Sequence, residues 1–199
     1  MKQQKAIKTD KNIVLFGDSL TDYFPMEFFQ NVKARVYNRG EAGNTVPEMA
    51  ARAVMDVVPL CPDVVLMQGG ANDYLLPFYR GAETVAEQLL RAADRLRKQL
   101  PDTRIYIESL YPMYTKKTGN RIPFWSEGKS NDEIRMINSA VKSLCESSGY
   151  FYVDVFAGLA GADGELPLSY TVDGVHLTRE GYERVWKVLS QVLIKEGCM

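Results

Sequence analysis

Five short apolar runs alternate with longer stretches of helical periodicity, and this alternation narrows the possible folds more than any other feature. The runs read as strands at about 12–16, 34–38, 63–68, 104–110 and 150–155. The first, Ile13-Val14-Leu15-Phe16, is an unbroken apolar run bounded by the turn residues Gly17 and Asp18, as expected for a buried strand. Between them lie helix signals. Thr45 and Glu48 fit a capping box with Pro47 in the first turn, which predicts a helix over 46–58 ended by Pro59 and Pro62. Thr84 and Glu87 fit a second capping box, followed by Val85, Leu89, Ala93, Leu96 and Leu100 at helical spacing and a stop at Pro101. Ser130 and Glu133 open a third helix with Ile134, Ile137, Val141 and Leu144 on one face and Gly149 after its end. Thr178 caps a last helix that buries Tyr182, Val185, Leu189 and Val192. Strand–helix alternation implies a parallel sheet with helices on both faces, joined by right-handed crossovers.

The 199 residues suffice for one domain with a substantial core. Residues 1–11 read as a flexible N-terminal arm and 12–199 as a single domain. The formal net charge of -1 gives no argument for nucleic acid or an anionic membrane as partner. No apolar stretch approaches about 18 residues, so no membrane insertion is expected. The N-terminus MKQQKAIKTDK is polar and lacks an apolar signal core, which points to a cytoplasmic location. Cys61, Cys145 and Cys198 are odd in number and widely spaced, unlike a disulfide framework or zinc site. They read as two buried thiols and one in a frayed C-terminus. No His/Cys/Asp/Glu group has metal-ligand spacing, and no P-loop is present. No metal or cofactor is expected.

The chemistry-bearing stretch is Lys11 to Asp22, KNIVLFGDSLTD. Gly17 and Asp18 break the first strand, which places Ser19 at its C-terminal edge, where open parallel sheets bind ligands. A serine hydroxyl is a poor nucleophile until a base takes its proton, and that base needs a third group to orient it. His176 is the only histidine in the chain. Asp173 lies three residues before it, across Gly174, a spacing that lets the carboxylate fold back onto Nδ1 and leaves Nε2 to face Ser19. Alone, His176 reads equally well as a packing or capping residue; with the serine and the loops below it reads as a base. An ester carbonyl also needs oxyanion donors. In the loop after strand two, Gly43 permits close backbone approach, and it also fits a turn needing positive φ. After strand three, Asn72 offers an uncharged amide donor, and it also fits an Asx turn. Asp18 reads as a residue that holds the serine turn, Asp154 as a cap for the segment 156–159, and Arg39 as either an ion-pair partner or a residue at the cleft mouth. The α/β-hydrolase elbow, Gly-x-Ser-x-Gly, does not match, because Thr21 occupies its last position.

Taken together, these segments resemble the SGNH (GDSL) hydrolase superfamily over nearly the whole chain. Gly17-Asp18-Ser19-Leu20-Thr21 looks like its first block, with Ser19 as nucleophile. Asn38-Arg39-Gly40-Glu41-Ala42-Gly43-Asn44-Thr45 is similar to the second, with Gly43 as an oxyanion-hole glycine. Gly69-Gly70-Ala71-Asn72-Asp73 matches the third, with Asn72 as the oxyanion-hole asparagine, although Gly-Gly-Ala-Asn replaces the commoner Gly-x-Asn. Asp173-Gly174-Val175-His176-Leu177 matches the last, which supplies the Asp and His of a triad. The resemblance implies an α/β fold, a three-layer α/β/α, flavodoxin-like sandwich on a five-stranded parallel sheet. It implies a Ser-His-Asp serine esterase in which the Ser19 N–H is the third oxyanion donor.

Substrate identity is less constrained. Similar superfamily members include acetylhydrolases, carbohydrate O-acetylesterases, lysophospholipases and acyl thioesterases. A small-molecule ester with a short acyl group, an acetyl ester on a carbohydrate, is the favoured substrate. A longer acyl chain on a lysophospholipid or thioester is the alternative, and a non-catalytic flavodoxin-like binding module is a third reading. Tyr23, Tyr74, Tyr114 and Trp125 are the candidate substrate-binding aromatics; Tyr79 and Phe124 could join them in the cleft. The long stretch from Tyr111 to Lys129 reads as cleft wall, lid or interface, and no oligomeric state can be assigned.

Overall fold

The structure is a computed structural model that describes residues 11–116 and 124–199. The expected arm therefore lies outside the described residues except for Lys11, which begins the first strand. The chain runs β1 (Lys11–Gly17), α1 (Ser19–Asp22), β2 (Ala34–Gly40), α2 (Val46–Val57), β3 (Val64–Met67), α3 (Ala71–Leu75), α4 (Ala82–Gln99), β4 (Arg104–Glu108), α5 (Asn131–Ser148), β5 (Phe151–Val153), α6 (Val155–Leu159) and α7 (Arg179–Lys195). The strands form one five-stranded sheet in the order β2-β1-β3-β4-β5, every pair parallel. Among the described residues no helix is long and apolar enough to cross a membrane.

The unbroken apolar runs follow from burial on both sheet faces. Val14, Phe16, Val65, Met67, Ile105 and Ile107 pack with α2, α4 and α5. Ile13, Leu15, Val64, Leu66 and Tyr106 point the other way, against α6, α7 and the Phe24–Phe29 turn. The chain leaves β1 for β2 on one side, then crosses to β3 on the other. Its loops therefore separate at the C-terminal end of β1, the topological switch point where such sheets open a crevice. Ser19 lies there.

Most helix signals are realised. The Glu48 carboxylate accepts from both the Thr45 N–H and hydroxyl, each at 2.7 Å. Ser130 accepts from the Glu133 N–H at 3.2 Å, Thr178 from the Gly181 N–H at 3.3 Å and Asp154 from the Ala157 N–H at 3.0 Å. The Thr84–Glu87 capping box is not formed. Gly81, at φ +103°, starts α4 at Ala82, and the Thr84 hydroxyl donates instead to the Arg80 carbonyl. In α7 Leu193, not Val192, is the fully buried residue. The cysteine expectation is also corrected: Cys61 is exposed, while Cys145 and Cys198 are buried. The Cys198 backbone is held from both sides, by Lys33 N–H at 2.7 Å and Leu193 O at 2.9 Å, so the C-terminus is not frayed there.

β2 is pulled tightly onto the turn after β1. A Cβ placed on Gly40 would meet the Asp22 backbone nitrogen at 2.1 Å and its Cα at 2.5 Å. Backbone atoms cannot swing aside as a side-chain tip can. Gly40→Ala is therefore expected to destabilise the protein by about 3 kcal/mol, lowering the melting temperature by roughly 6–12 °C in a calorimetric scan. An unchanged melting temperature would show that the two backbones separate freely.

Candidate active site

The structure brings Ser19, His176 and Asp173 into one hydrogen-bonded chain. Ser19 Oγ lies 3.0 Å from His176 Nε2, and His176 Nδ1 lies 2.6 Å from Asp173 Oδ2. A neutral ring that donates Nδ1–H to the carboxylate presents its Nε2 lone pair to the serine hydroxyl. Asp173 Oδ1 accepts from the backbone N–H of Val175 at 3.0 Å and of His176 at 2.8 Å. Partial burial pushes the Asp173 carboxyl up, but the histidine and the two N–H groups outweigh it and hold the carboxyl below its ordinary range. Gly174, at φ +97°, makes the reversal possible. The hairpin is closed by the Thr171–Leu177 bridge and by the Thr171 hydroxyl, which donates to the His176 carbonyl at 2.9 Å.

Asp18 holds the serine turn as expected. It is fully buried and accepts from the Leu20 N–H at 3.0 Å and from Gln68 Nε2 at 3.3 Å. Burial raises its pKa to about 6, although both hydrogen bonds act in the opposite direction. A second buried acid, Glu108 at the end of β4, accepts from the Tyr111 hydroxyl at 2.6 Å. Burial raises its pKa to about 7; the Tyr111 bond opposes this and the Asp18 charge adds to it.

The segment that carries Gly43 is fixed from three directions. Glu41 N–H donates to the Gly17 carbonyl at 3.0 Å. Asn72 Nδ2 donates to the Asn44 carbonyl at 2.9 Å, and Asp73 accepts from the Val46 N–H at 2.9 Å. One hydrogen of the Asn72 amide is thus committed, and its second remains for a ligand. Gly43 has φ +86°, and an added Cβ would meet nothing within 4 Å, so backbone conformation and not crowding selects glycine there. The Ser19 N–H lies in the first turn of α1, where no intrahelical acceptor exists.

The candidate aromatics divide. Tyr23 is 55% exposed, and its ring centroid lies 5.6 Å from that of His176. Trp125 is exposed, and Tyr114 is half-buried, its N–H donating to the Gly174 carbonyl at 2.9 Å. Tyr74 is 5% exposed; it lines a small buried cavity with Leu20, Ala71 and Val175, and its hydroxyl is engaged with the Ser130 backbone. Tyr79 is half-buried, its hydroxyl tied to Glu133. Phe124 backbone opens a short 3-10 turn, and part of the long stretch before it lies outside the described residues.

Sequence reasoning missed Arg52. From α2 its guanidinium donates to Asn44 Oδ1 at 2.6 Å, the Gly17 carbonyl at 2.7 Å, Asp56 at 2.8 Å and the Arg39 carbonyl at 2.9 Å. It also stacks 4.6 Å from the Phe16 ring centroid. Its only local signal, Asp56 four residues on, is that of an ordinary surface pair. Arg39, the arginine the motif brings forward, is exposed and donates only to its neighbour Asn38. No cluster of three or more His, Cys, Asp or Glu placed to hold a metal occurs among the described residues.

Ser19, His176 and Asp173 thus stand in hydrogen-bond sequence at the switch point of a parallel sheet. Residues 15–184 match the GDSL-like Lipase/Acylhydrolase family, and the chain belongs to it. It is a carboxylic ester hydrolase. It is similar to an acetylxylan esterase of Geobacillus stearothermophilus, 27% identical over 171 residues, covering 81% of this chain and 71% of that protein. It is also 22% identical to an N-acylneuraminate cytidylyltransferase of Escherichia coli over 92% of this chain but 40% of that protein. A GDSL-like lipase from Bacteroides thetaiotaomicron shares the fold, with TM-score 0.76 at 21% identity over 97% of this chain and 92% of its own.

Two outcomes are expected. Arg52→Met removes the side-chain donor from Asn44 Oδ1 and the Arg39 carbonyl and one of two donors from the Gly17 carbonyl, so kcat toward p-nitrophenyl acetate should fall by about 10²-fold while KM changes little, with Arg52→Lys partly restoring it. Equal kcat in both variants and wild type would exclude a positioning role. Glu108 ionises less readily folded than unfolded, so its contribution to stability falls as pH rises from about 4.5 to about 7. Glu108→Gln should therefore be more stable than wild type at pH 8, by about 3 kcal/mol, and indistinguishable at pH 4 in urea unfolding.

Proposed function

We propose that the chain hydrolyses short-acyl esters, acetyl esters of carbohydrates in particular, by serine acyl transfer. The observation that carries this reading is the unbroken chain Ser19 Oγ, His176 Nε2, His176 Nδ1, Asp173 Oδ2 at 3.0 and 2.6 Å. Ser19 attacks the ester carbonyl while His176 takes its proton. Asp173 keeps the ring in its Nδ1–H tautomer and stabilises the imidazolium that forms. The Gly43 N–H, the free hydrogen of Asn72 Nδ2 and the Ser19 N–H receive the oxyanion. His176 then protonates the leaving alcohol. In the second half a water, deprotonated by His176, attacks the acyl-enzyme, and Ser19 leaves with its proton restored.

The size of one cavity supports a short acyl group. Leu20, Ala71 and Val175, the residues next to Ser19, Asn72 and His176, line an apolar cavity of about 10 Å³ together with Leu110 and Met113. That is room for about one water-sized group, a size that suits the methyl of an acetyl ester, although Ser19, Asn72 and His176 reach the cavity only through these neighbours. The similarity to an acetylxylan esterase supports the same acyl group and suggests a sugar as the alcohol. The exposed ring of Tyr23 beside His176 offers a surface for that alcohol as it leaves.

Ser19→Ala and His176→Ala should each lower turnover of p-nitrophenyl acetate by several orders of magnitude without changing the melting temperature greatly. Asn72→Ala should lower kcat by roughly 10²–10³. Wild-type rates should fall steeply from acetate to octanoate esters. Retained activity in Ser19→Ala would overturn the mechanism, and a preference for octanoate or longer would overturn the acyl assignment.

A further inference from the structure

A second cavity, of about 310 Å³, opens beside the same loops. Gly43 forms part of its wall, as does Asp73, the neighbour of Asn72, while none of Ser19, His176 or Asp173 lines it. Pro47, Leu76 and Val85 add apolar surface, and its polar and aromatic groups include Glu48, Phe78, Arg80 and Gln88. The proposed acyl transfer uses none of these four.

Phe78 is 65% exposed, yet the turn that carries it is anchored. Tyr79, the next residue, bonds Glu133 of α5 through its hydroxyl and packs edge-on against buried Tyr74 at 5.1 Å. A large aromatic ring is thus held in water at the mouth of a cavity by neighbours that are themselves fixed. Around it stand polar groups with capacity to spare. The Arg80 guanidinium and the Gln88 amide make no hydrogen bond or ion pair among the described residues. Glu48 commits one carboxylate oxygen to Thr45, and Asp73 commits one to Val46, leaving the other oxygen of each.

An alkyl chain in this cavity would strip water from a guanidinium, an amide and two carboxylates and return no hydrogen bond, at a cost of kilocalories per group. A ring with an apolar C–H face and a rim of hydroxyls meets both demands, the flat face against Phe78 and the hydroxyls toward the polar groups. On the esterase reading above, we propose that this cavity is a carbohydrate subsite that holds a sugar ring of the substrate's alcohol part. It sits beside the oxyanion donors and is separate from the small apolar cavity for the acyl methyl. Specificity for the acyl group and for the glycan is thereby divided between two cavities on different walls.

The test is steady-state kinetics of wild type, Phe78→Ala and Gln88→Ala on two kinds of ester. p-Nitrophenyl acetate is too small to need the cavity; acetylated xylo-oligosaccharides and peracetylated glucose are large enough. Both variants should keep p-nitrophenyl acetate kinetics within about twofold, while kcat/KM on at least one sugar ester falls roughly tenfold through KM, equivalent to about 1.4 kcal/mol. Unchanged sugar-ester kinetics overturns the proposal. So does an equal loss on both kinds of substrate, which marks a structural role, or a selective loss on octanoate esters, which marks an acyl channel. Wild type that cleaves p-nitrophenyl acetate but neither sugar ester also overturns it. Failure of the esterase reading looks different: p-nitrophenyl acetate is then not turned over, or Ser19→Ala turns it over as well as wild type.

Discussion

The Arg52 guanidinium is the joint on which the site end of the sheet depends. The Gly17 carbonyl at the end of β1 accepts from both the Glu41 N–H and Arg52, and the Arg39 carbonyl near the end of β2 accepts from Arg52. Arg52 answers the carbonyls of Gly17 and Arg39 together, which locks the end of β1 to the end of β2. It then reaches the Asn44 side chain, whose backbone carbonyl is held by Asn72. One planar donor set thus connects the strand that delivers Ser19, the segment that bears Gly43 and the helix that bears Asn72. Asp56, one turn further along α2, balances its charge.

Beneath this surface the protein keeps two acids out of water. Asp18 organises the serine turn through Leu20 and Gln68, and Gln68 accepts in turn from the Thr21 hydroxyl at 3.2 Å. Glu108 and Tyr111 form a second buried polar pair. Both acids lose hydration on folding, and the Asp18 charge further opposes ionisation of Glu108. Stability spent on burying them is returned as order: the turn behind the nucleophile is fixed by directional bonds where apolar packing alone would allow it to slide.

Much of this was legible in the sequence, because the signals that matter are local. A continuous apolar run, a capping residue and a glycine at a sharp reversal each act within a few residues, so β1, α2 and the Asp173–His176 hairpin follow from their own letters. The illegible parts are those where a side chain's partner is remote. Arg52 looks like any helical arginine until the ends of two strands are laid beside it. Tyr74 sits two residues from Asn72, and the single turn of α3 rotates it inward, so that it borders only the small buried cavity and bonds the remote Ser130 backbone. Thr84 and Glu87 have the letters of a cap, but Gly81 at positive φ starts α4 earlier. Cys198 looks terminal and loose until the Lys33 N–H is found on its carbonyl.

The hairpin carrying Asp173 and His176 has a mechanical consequence. His176 and Asp173 are three residues apart and are stitched into one small unit by two backbone N–H bonds and the Thr171 hydroxyl. Displacement of that unit as a whole would leave the His176–Asp173 pair intact and change the distance to Ser19, a contact that spans 157 positions of sequence. Two fasteners oppose such drift, the Tyr182 hydroxyl on the Leu20 carbonyl at 3.1 Å and the Tyr114 N–H on the Gly174 carbonyl at 2.9 Å. The Ser19–His176 contact is therefore the seam at which a displaced hairpin would part, with His176 and Asp173 still paired.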